Sequence, residues 1–378
     1  MESLVAEMAK RFAGSSVVLS VITLSGRVGR VGMAVRPLVD QFHILKPLPG
    51  VSMVAPLGLV RCLRRIRPDV VHLHSGAWYK GALAARMAGV RRIVYTEHGR
   101  EHYDPRRARW LDQWASKWTD VVVAVSDGLR RYLEVAVHVP PDRIRTIENG
   151  IDVDVFSPGP RSQELMDRLA IPRDAIVVGS VGRLEPVKAY VRMIEAVAYV
   201  GRSGVMNRPV YLVICGEGSE RQALTECARQ WGVTDRVRFP GWVDRPVEVY
   251  RSLDVFALTS LSEGASISLM EAMACGAAPV VMAVGANAEI LGPDLRDQVV
   301  PAGDIDGFRR TVVATLESPE RVALVRALAR QRAVERCSLD RVISAYEGVY
   351  RMSPIDAEQL VRKREVERRH DRPRVRLP

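Results

Sequence analysis

No stretch of this sequence is apolar for long enough to cross a bilayer. Arg, Lys, Asp or Pro interrupts every candidate before the roughly 18 residues that a spanning helix needs, and the mean hydropathy is -0.02. Cysteine is scarce as well. The five present, Cys62, Cys215, Cys227, Cys275 and Cys337, are odd in number, widely scattered and form no Cys-x-x-Cys pair. That argues against a disulfide framework or a structural zinc site and for a reducing cytoplasm. No signal-peptide apolar core opens the chain. Helix-turn-helix, zinc-finger and aromatic RNP-like patterns are missing too, so nucleic acid is not the expected partner.

What is present is ordinary globular material. Hydrophobic residues make up 47% and charged residues 26%, with 28 Gly and 22 Pro in 378 residues, a composition far from collagen-like or disordered chains. That length predicts about two domains. The net charge of +11 is unevenly placed: residues 1–110 hold 18 Lys and Arg against 7 Asp and Glu, while the remaining 268 residues hold 37 of each. A basic N-terminal third implies an anionic partner such as phosphate groups or an acidic membrane face.

Apolar runs that read as buried strands recur between helix-length segments: residues 17–23, 70–73, 92–96, 121–125, 176–180, 210–215, 237–239, 255–258 and 278–282. Such spacing predicts βαβ units and parallel sheets, and nine strands fit two Rossmann-like α/β domains better than one. Turn formers from Asn149-Gly150-Ile151-Asp152 to Pro158-Gly159-Pro160 mark the linker. The expected domains are 1–157, 158–337, a C-terminal helix at 338–352 packing back toward the first domain, and a basic, disordered tail at 353–378.

In open α/β sheets, ligands bind where strands end and helices begin. Val181-Gly182-Arg183-Leu184-Glu185-Pro186-Val187-Lys188 follows a strand and carries two cations that suit a diphosphate, Arg183 as a planar fork and Lys188 as a point charge. A solvated loop with ordinary surface charges is the plain alternative. Gly216-Glu217-Gly218-Ser219 follows the next strand and admits close backbone approach, although a lone Gly-x-Gly is more often a tight turn. After residues 255–258 comes Ser262-Glu263-Gly264-Ala265-Ser266-Ile267-Ser268-Leu269-Met270-Glu271. A helix starting near Ser268 would leave Glu263 in the preceding loop and Glu271 in the first turn, both facing one cleft, with N–H groups for phosphate between them. His72 and His74 alternate along one strand and so share a face; a metal pair lacks a third ligand nearby.

The order Gly182 to Lys188, Cys215-Gly216-Glu217-Gly218, Phe239-Pro240-Gly241-Trp242 and Ser262 to Gly276 resembles the donor-binding half of retaining glycosyltransferases of family 4, which have the two-domain GT-B fold. Upstream, Val71-His72-Leu73-His74-Ser75, Tyr95-Thr96-Glu97-His98-Gly99-Arg100-Glu101, Ser126 and Asn149-Gly150-Ile151-Asp152 resemble family landmarks in the same order, so the likeness covers roughly residues 2–350. It implies α/β architecture with two Rossmann-like domains whose parallel sheets face a central cleft. It also implies that Arg183 and Lys188 bind the donor diphosphate, that Glu271 takes the ribose hydroxyls, and that Glu263 holds the transferred sugar near its anomeric carbon. Gly216, Glu217, Gly264 and Ser268 would line the donor site, the backbone near Trp242 would meet the base, and His98 would reach toward the sugar. The donor is then a UDP- or GDP-sugar and the acceptor a glycan or lipid-linked glycan, transferred with retention. No Asp-x-Asp motif is expected in a loop after a strand, so no metal or other cofactor is anticipated.

Three departures stand out. Ala189 follows the Lys where the family usually has Gly, Ala265-Ser266 replaces a more usual Pro or Phe-Gly pair, and the chain opens at Met1-Glu2-Ser3-Leu4, which resembles the end of the family's first glycine-rich loop and the helix after it. The first strand and that loop are therefore expected upstream of Met1. The stretch His98 to Glu101, with Trp110 and Trp114, resembles bacterial polysaccharide-assembly transferases. The arginines at 61, 64, 65, 67, 91, 92, 106, 107 and 109 then suit a peripheral enzyme on the inner face of a membrane. A nucleotide-sugar epimerase of GT-B fold and a catalytically inactive binding subunit are the two rivals.

Overall fold

A computed structural model describes residues 2–14, 17–46, 55–99, 106–202 and 207–351. The expected tail 353–378, and Arg100 and Glu101 of the His98 stretch, lie outside the described residues. Among the described residues there are twelve strands, all paired in parallel, in two compact units: residues 1–148 with 343–378, and residues 149–342.

In the first unit β1 (Ser20–Thr23) pairs with β2 (Gln41–Ile44), and β3 (Val70–His74), β4 (Arg92–Glu97), β5 (Val121–Ala124) and β6 (Ile144–Thr146) form a second sheet in that order. Residues 93–97 and 121–124 are buried throughout, as continuous β-branched runs in a two-sided parallel sheet must be. Leu73, Ile93, Tyr95, Val122 and Ile144 meet the helices Leu57–Ile66, Trp78–Ala88 and Asp127–Val135 in one core. Among the described residues β1 and β3 have one hydrogen-bonded neighbour each.

The second unit holds β7 (Ile176–Val181), β8 (Val210–Cys215), β9 (Val237–Gly241), β10 (Val255–Leu258), β11 (Ala278–Met282) and β12 (Val299–Val300) in the order β12-β11-β10-β7-β8-β9. Alternate residues of each strand supply opposite faces. Val177, Val213, Phe256 and Val281 pack with the helices Ile267–Ala274 and Pro319–Cys337, while Val178, Leu212, Ala257 and Val280 pack with Tyr190–Arg202, Arg221–Gln230 and Ile305–Thr315. This is the two-periodicity of a pleated strand expressed as two cores.

The linker stretch joins the second unit from Asn149 onward rather than from residue 158. Ile151 N–H donates to the Cys337 carbonyl at 2.8 Å and Leu339 N–H to the Ile151 carbonyl at 2.9 Å, so the outgoing and returning chains run side by side there. Arg330 fixes the same stretch by donating to the carbonyls of Val153 and Phe156.

Candidate active site

The sheet order of the second unit places its site. From β7 the chain builds outward through β8 and β9, then returns to the other side of β7 with β10. The loops leaving β7 and β10 therefore diverge from one point at the carboxyl ends of adjacent strands, where open α/β sheets take ligands. The first loop carries Arg183 and Lys188; the second carries Glu263 and Gly264.

The structure joins two of these residues directly. Lys188 Nζ lies 2.6 Å from Glu263 Oε1, with the two side chains 16% and 10% exposed, and Ser260 Oγ donates to the same carboxylate oxygen at 2.5 Å. Thr259, at the end of β10, donates its hydroxyl to the carbonyls of Lys188 and Ala189 at 3.2 and 3.1 Å, tying the two loops together. Ala189 adopts the left-handed region at φ 48°. A residue with a Cβ carries strain there, which explains why glycine is the usual occupant in the family the sequence resembles.

The glycine loops are shaped by backbone contact. Gly216 has φ 142°, and a Cβ on it would strike the carbonyl of Gly182; Gly182 N–H donates to Cys215 O at 2.9 Å and Leu184 N–H to Glu217 O at 2.9 Å. The loops after β7 and β8 are thus laced to each other, and Gly216 serves that lacing whatever it offers a ligand. Gly216→Ala should lower unfolding free energy by more than about 3 kcal/mol through clash and strain together, read as a lower urea midpoint. An unchanged midpoint would show that the two loops are not in contact. Gly285, which sequence reasoning passed over, plays the same part for the β10 loop: at φ 55° its absent Cβ leaves space for the Glu263 carbonyl, and Ala286 N–H donates to Gly264 O at 2.9 Å.

The helix after this loop is Ile267–Ala274, capped by Ser266, whose Oγ accepts from Leu269 N–H at 3.4 Å. It begins before Ser268, so Ser268 is a first-turn residue and Glu271 stands in the second turn rather than the first. Tyr250 donates its hydroxyl to Glu271 Oε2 at 2.7 Å. Burial, then the Glu271 charge, pushes the Tyr250 phenol well above its ordinary range, so it remains a donor that orients the carboxylate. No pattern in the sequence pointed to Tyr250, which lies on a separate helix, Pro246–Ser252.

Arg183 and Glu217 are exposed beside these loops, and among the described residues the Arg183 guanidinium has no hydrogen-bond or ion-pair partner. Trp242 follows β9 with its indole 58% exposed and its Nε1 donating to Asp244 at 2.9 Å. The sequence does contain two Asp-x-Asp triplets after strands, contrary to the expectation above: Asp304-Ile305-Asp306, where Asp304 caps the helix Ile305–Thr315 by accepting from Gly307 N–H at 2.7 Å, and Asp152-Val153-Asp154. Asp152 Oδ1 accepts from the N–H groups of Asp154 and Val155, both at 3.0 Å, so it closes a turn.

The first unit gathers its histidines. His72 and His74 share a face of β3 with ring centroids 4.1 Å apart, and His98, just past β4, brings Nε2 to 2.9 Å from His74 Nδ1. A third histidine therefore does stand beside the pair, which spacing within one strand could not reveal. Among the described residues no three His, Cys, Asp or Glu are arranged to hold a metal. His72 is held at both nitrogens, by Tyr350 OH and Thr96 Oγ1, each at 2.7 Å. Burial pushes His74 down to about 4 and His98 down to about 3, with the neighbouring histidine adding to the shift at His98. His72 falls well below its ordinary value for the same reasons. Glu97 braces the turn that carries His98, accepting from Tyr95 OH at 2.8 Å and Gly99 N–H at 3.3 Å.

Two parallel-sheet units of this order define the GT-B architecture, and comparison with known proteins gives the family. Residues 1–155 match the model of Glycosyltransferase Family 4 and residues 161–332 that of Glycosyl transferases group 1; the chain belongs to these glycosyltransferases. It is 27% identical over 271 residues to UDP-Gal:alpha-D-GlcNAc-diphosphoundecaprenol alpha-1,3-galactosyltransferase of Escherichia coli, covering 69% of this chain and 70% of that protein. It is 32% identical over 234 residues to the D-inositol 3-phosphate glycosyltransferase of Saccharomonospora viridis, covering 60% of this chain but only 53% of the relative. Among solved structures, HepE of Anabaena in complex with UDP superposes with a TM-score of 0.80 at 19% identity, over 92% of this chain and 95% of that one.

Proposed function

We propose that the chain transfers a sugar from a nucleotide-diphosphate donor to a glycan or lipid-linked acceptor, with retention of anomeric configuration, in bacterial polysaccharide assembly. The observation that carries this is the Lys188–Glu263 pair, set beside the N-terminus of Ile267–Ala274 at the point where the sheet order reverses. UDP is favoured as the carrier because the HepE structure holds UDP and the name of the Escherichia coli relative specifies UDP-Gal; GDP is the alternative.

The chemistry follows from charge. The bond between the anomeric carbon and the diphosphate breaks with its electron pair leaving on phosphate oxygen. Arg183, Lys188 and the first-turn N–H groups meet the growing charge, the part a metal ion plays in other transferases. Glu263 holds the sugar hydroxyls, Glu271 the ribose, Gly216, Glu217, Gly264 and Ser268 the walls of the donor site, and the backbone near Trp242 the base. His98 offers the sugar an uncharged hydrogen-bonding imidazole. Retention requires the acceptor oxygen to bond on the face the diphosphate leaves, which puts its proton within reach of the departing oxygen. We place the enzyme at an anionic membrane surface, a reading supported by the basic excess in residues 1–110.

The test is nucleoside-diphosphate release from a panel of UDP- and GDP-sugars, with and without a lipid-linked acceptor fraction. Acceptor-stimulated release is expected. Donor isomerisation or hydrolysis indifferent to acceptor would favour the epimerase, and donor binding without turnover the inactive subunit.

A further inference from the structure

The helix Arg106–Trp118 in the first unit carries more aromatic surface than its core needs. Its inward residues are Ala115, fully buried, and Trp118, which meets Tyr79 of the neighbouring helix Trp78–Ala88 at a ring distance of 5.6 Å. Its outward stripe reads Arg107, Trp110, Trp114, Lys117, a spacing of three, four and three residues that keeps all four on one helical face. All are exposed, the two indoles at 57% and 40%. The indoles meet edge to face at 5.9 Å, and Lys117 Nζ stands 4.1 Å from the centre of the Trp114 ring. Two large rings partly exposed to water and set edge to face mark a surface with an occupant.

The charge around the stripe identifies that occupant. Arg61, Arg64, Arg65 and Arg67 are exposed on or beside the helix Leu57–Ile66, which Arg64 ties to Trp78–Ala88 through the Met87 carbonyl at 2.9 Å. Arg86 in turn ties that helix to Arg106–Trp118 through the Trp118 carbonyl at 2.8 Å. Three neighbouring helices thus carry exposed cations, of which Arg86 is paired with Asp120 at 2.6 Å. Lys117 also lines, with His138 and Arg143, a hollow of about 380 Å³ that is roomy enough for a lipid headgroup and has the cations Lys117 and Arg143 on its wall. A second copy of the chain is disfavoured, since two-fold contact would press Arg107 and Lys117 against the same cations. Indole rings flanked by cations instead match the boundary of a bilayer, where rings settle at headgroup depth and Lys and Arg meet lipid phosphate.

We propose that Arg107, Trp110, Trp114 and Lys117 form the docking face of this protein for an anionic lipid bilayer, with the hollow at Lys117, His138 and Arg143 taking a headgroup phosphate. The membrane location is shared with the functional proposal; the assignment of the face is independent of whether the chain transfers sugar.

Flotation with vesicles of equal parts phosphatidylglycerol and phosphatidylcholine tests it. The parent chain should float with them, and not with pure phosphatidylcholine, and its tryptophan emission should shift to the blue. The double variant Trp110→Ala and Trp114→Ala should partition about tenfold less, and Arg107→Glu with Lys117→Glu about as much less again at low salt, because each cation near such a surface adds to binding. The thermal unfolding midpoint should fall only slightly, since Trp110 is 57% exposed and Trp114, 40% exposed, meets Trp118 at a ring distance of 6.4 Å. Full flotation by both variants would overturn the face while leaving the membrane location standing. Failure of the parent to float would overturn both, with acceptor-stimulated donor turnover still able to stand. Self-association of the parent that Trp110→Ala and Trp114→Ala abolish would assign the stripe to contact between copies instead.

Discussion

Lys188→Met is expected to slow sugar transfer by about 10² to 10³, because a preplaced cation facing a leaving diphosphate acts where charge develops rather than where the donor merely rests. Glu263→Gln should act differently. Glutamine keeps the shape and can still meet sugar hydroxyls, but it leaves Lys188 as an uncompensated charge in a pocket where the two side chains are 16% and 10% exposed. Removing one partner of a buried pair costs about 3 kcal/mol or more. Each single substitution should therefore destabilise the second unit, while the double variant Lys188→Met, Glu263→Gln should unfold at a urea concentration above that expected from adding the two losses. Turnover should not recover in the double variant. Stability that recovers without activity separates the pair's structural attraction from its catalytic use. Single variants whose turnover stays within threefold of the parent would sink the assignment of the site.

That experiment matters because the pair was only half legible in the sequence. Arg183, Lys188, Glu263 and Glu271 were placed by their loops, which follow apolar runs that the structure finds as β7 and β10. What could not be read was the return of β10 to the side of β7, which brings Lys188 and Glu263 within 2.6 Å. Spacing along a chain carries no record of strand order. Tyr250 and Gly285 were missed for the same reason, since each acts on a residue from a distant element and has no motif of its own. The three strands passed over, β2, β6 and β12, all stand at sheet edges. A strand there has one neighbour rather than two, so it is short and keeps polar residues such as Gln41, His43 and Arg145 that break the apolar run. Central strands such as β5 and β10 were found because burial on both faces favours an unbroken run of Val, Leu, Phe and Ala.

Acidification should destabilise the first unit well before its carboxylates titrate. Above the ordinary histidine value of about 6.5, His72, His74 and His98 are neutral in both the folded and unfolded chain, and they contribute no pH dependence. Below it the unfolded chain takes up protons. The folded chain does not, because burial holds His74 down to about 4 and His98 down to about 3. Stability is therefore lost progressively as pH falls from about 6.5, and the loss levels off only where the folded histidines themselves accept protons. His74 alone should cost about 2 to 3 kcal/mol by pH 4.5, a drop of several degrees in melting temperature between pH 7.5 and 4.5. The groups around the trio sharpen the effect. His72 faces Tyr350 and Thr96, Thr96 contacts Tyr346 at 3.2 Å, and His74 faces His98, so no carboxylate among these contacts welcomes an imidazolium. His74→Asn should remove about one proton's worth of this slope, and the slope itself should be insensitive to changes in the second unit such as Glu263→Gln. An identical slope in the parent and in His74→Asn would show that the histidines are not the groups responsible. Under the proposed function, a trio that is neutral at pH 7 supplies no positive charge to the reaction, and the work of charge stabilisation is left to Arg183 and Lys188.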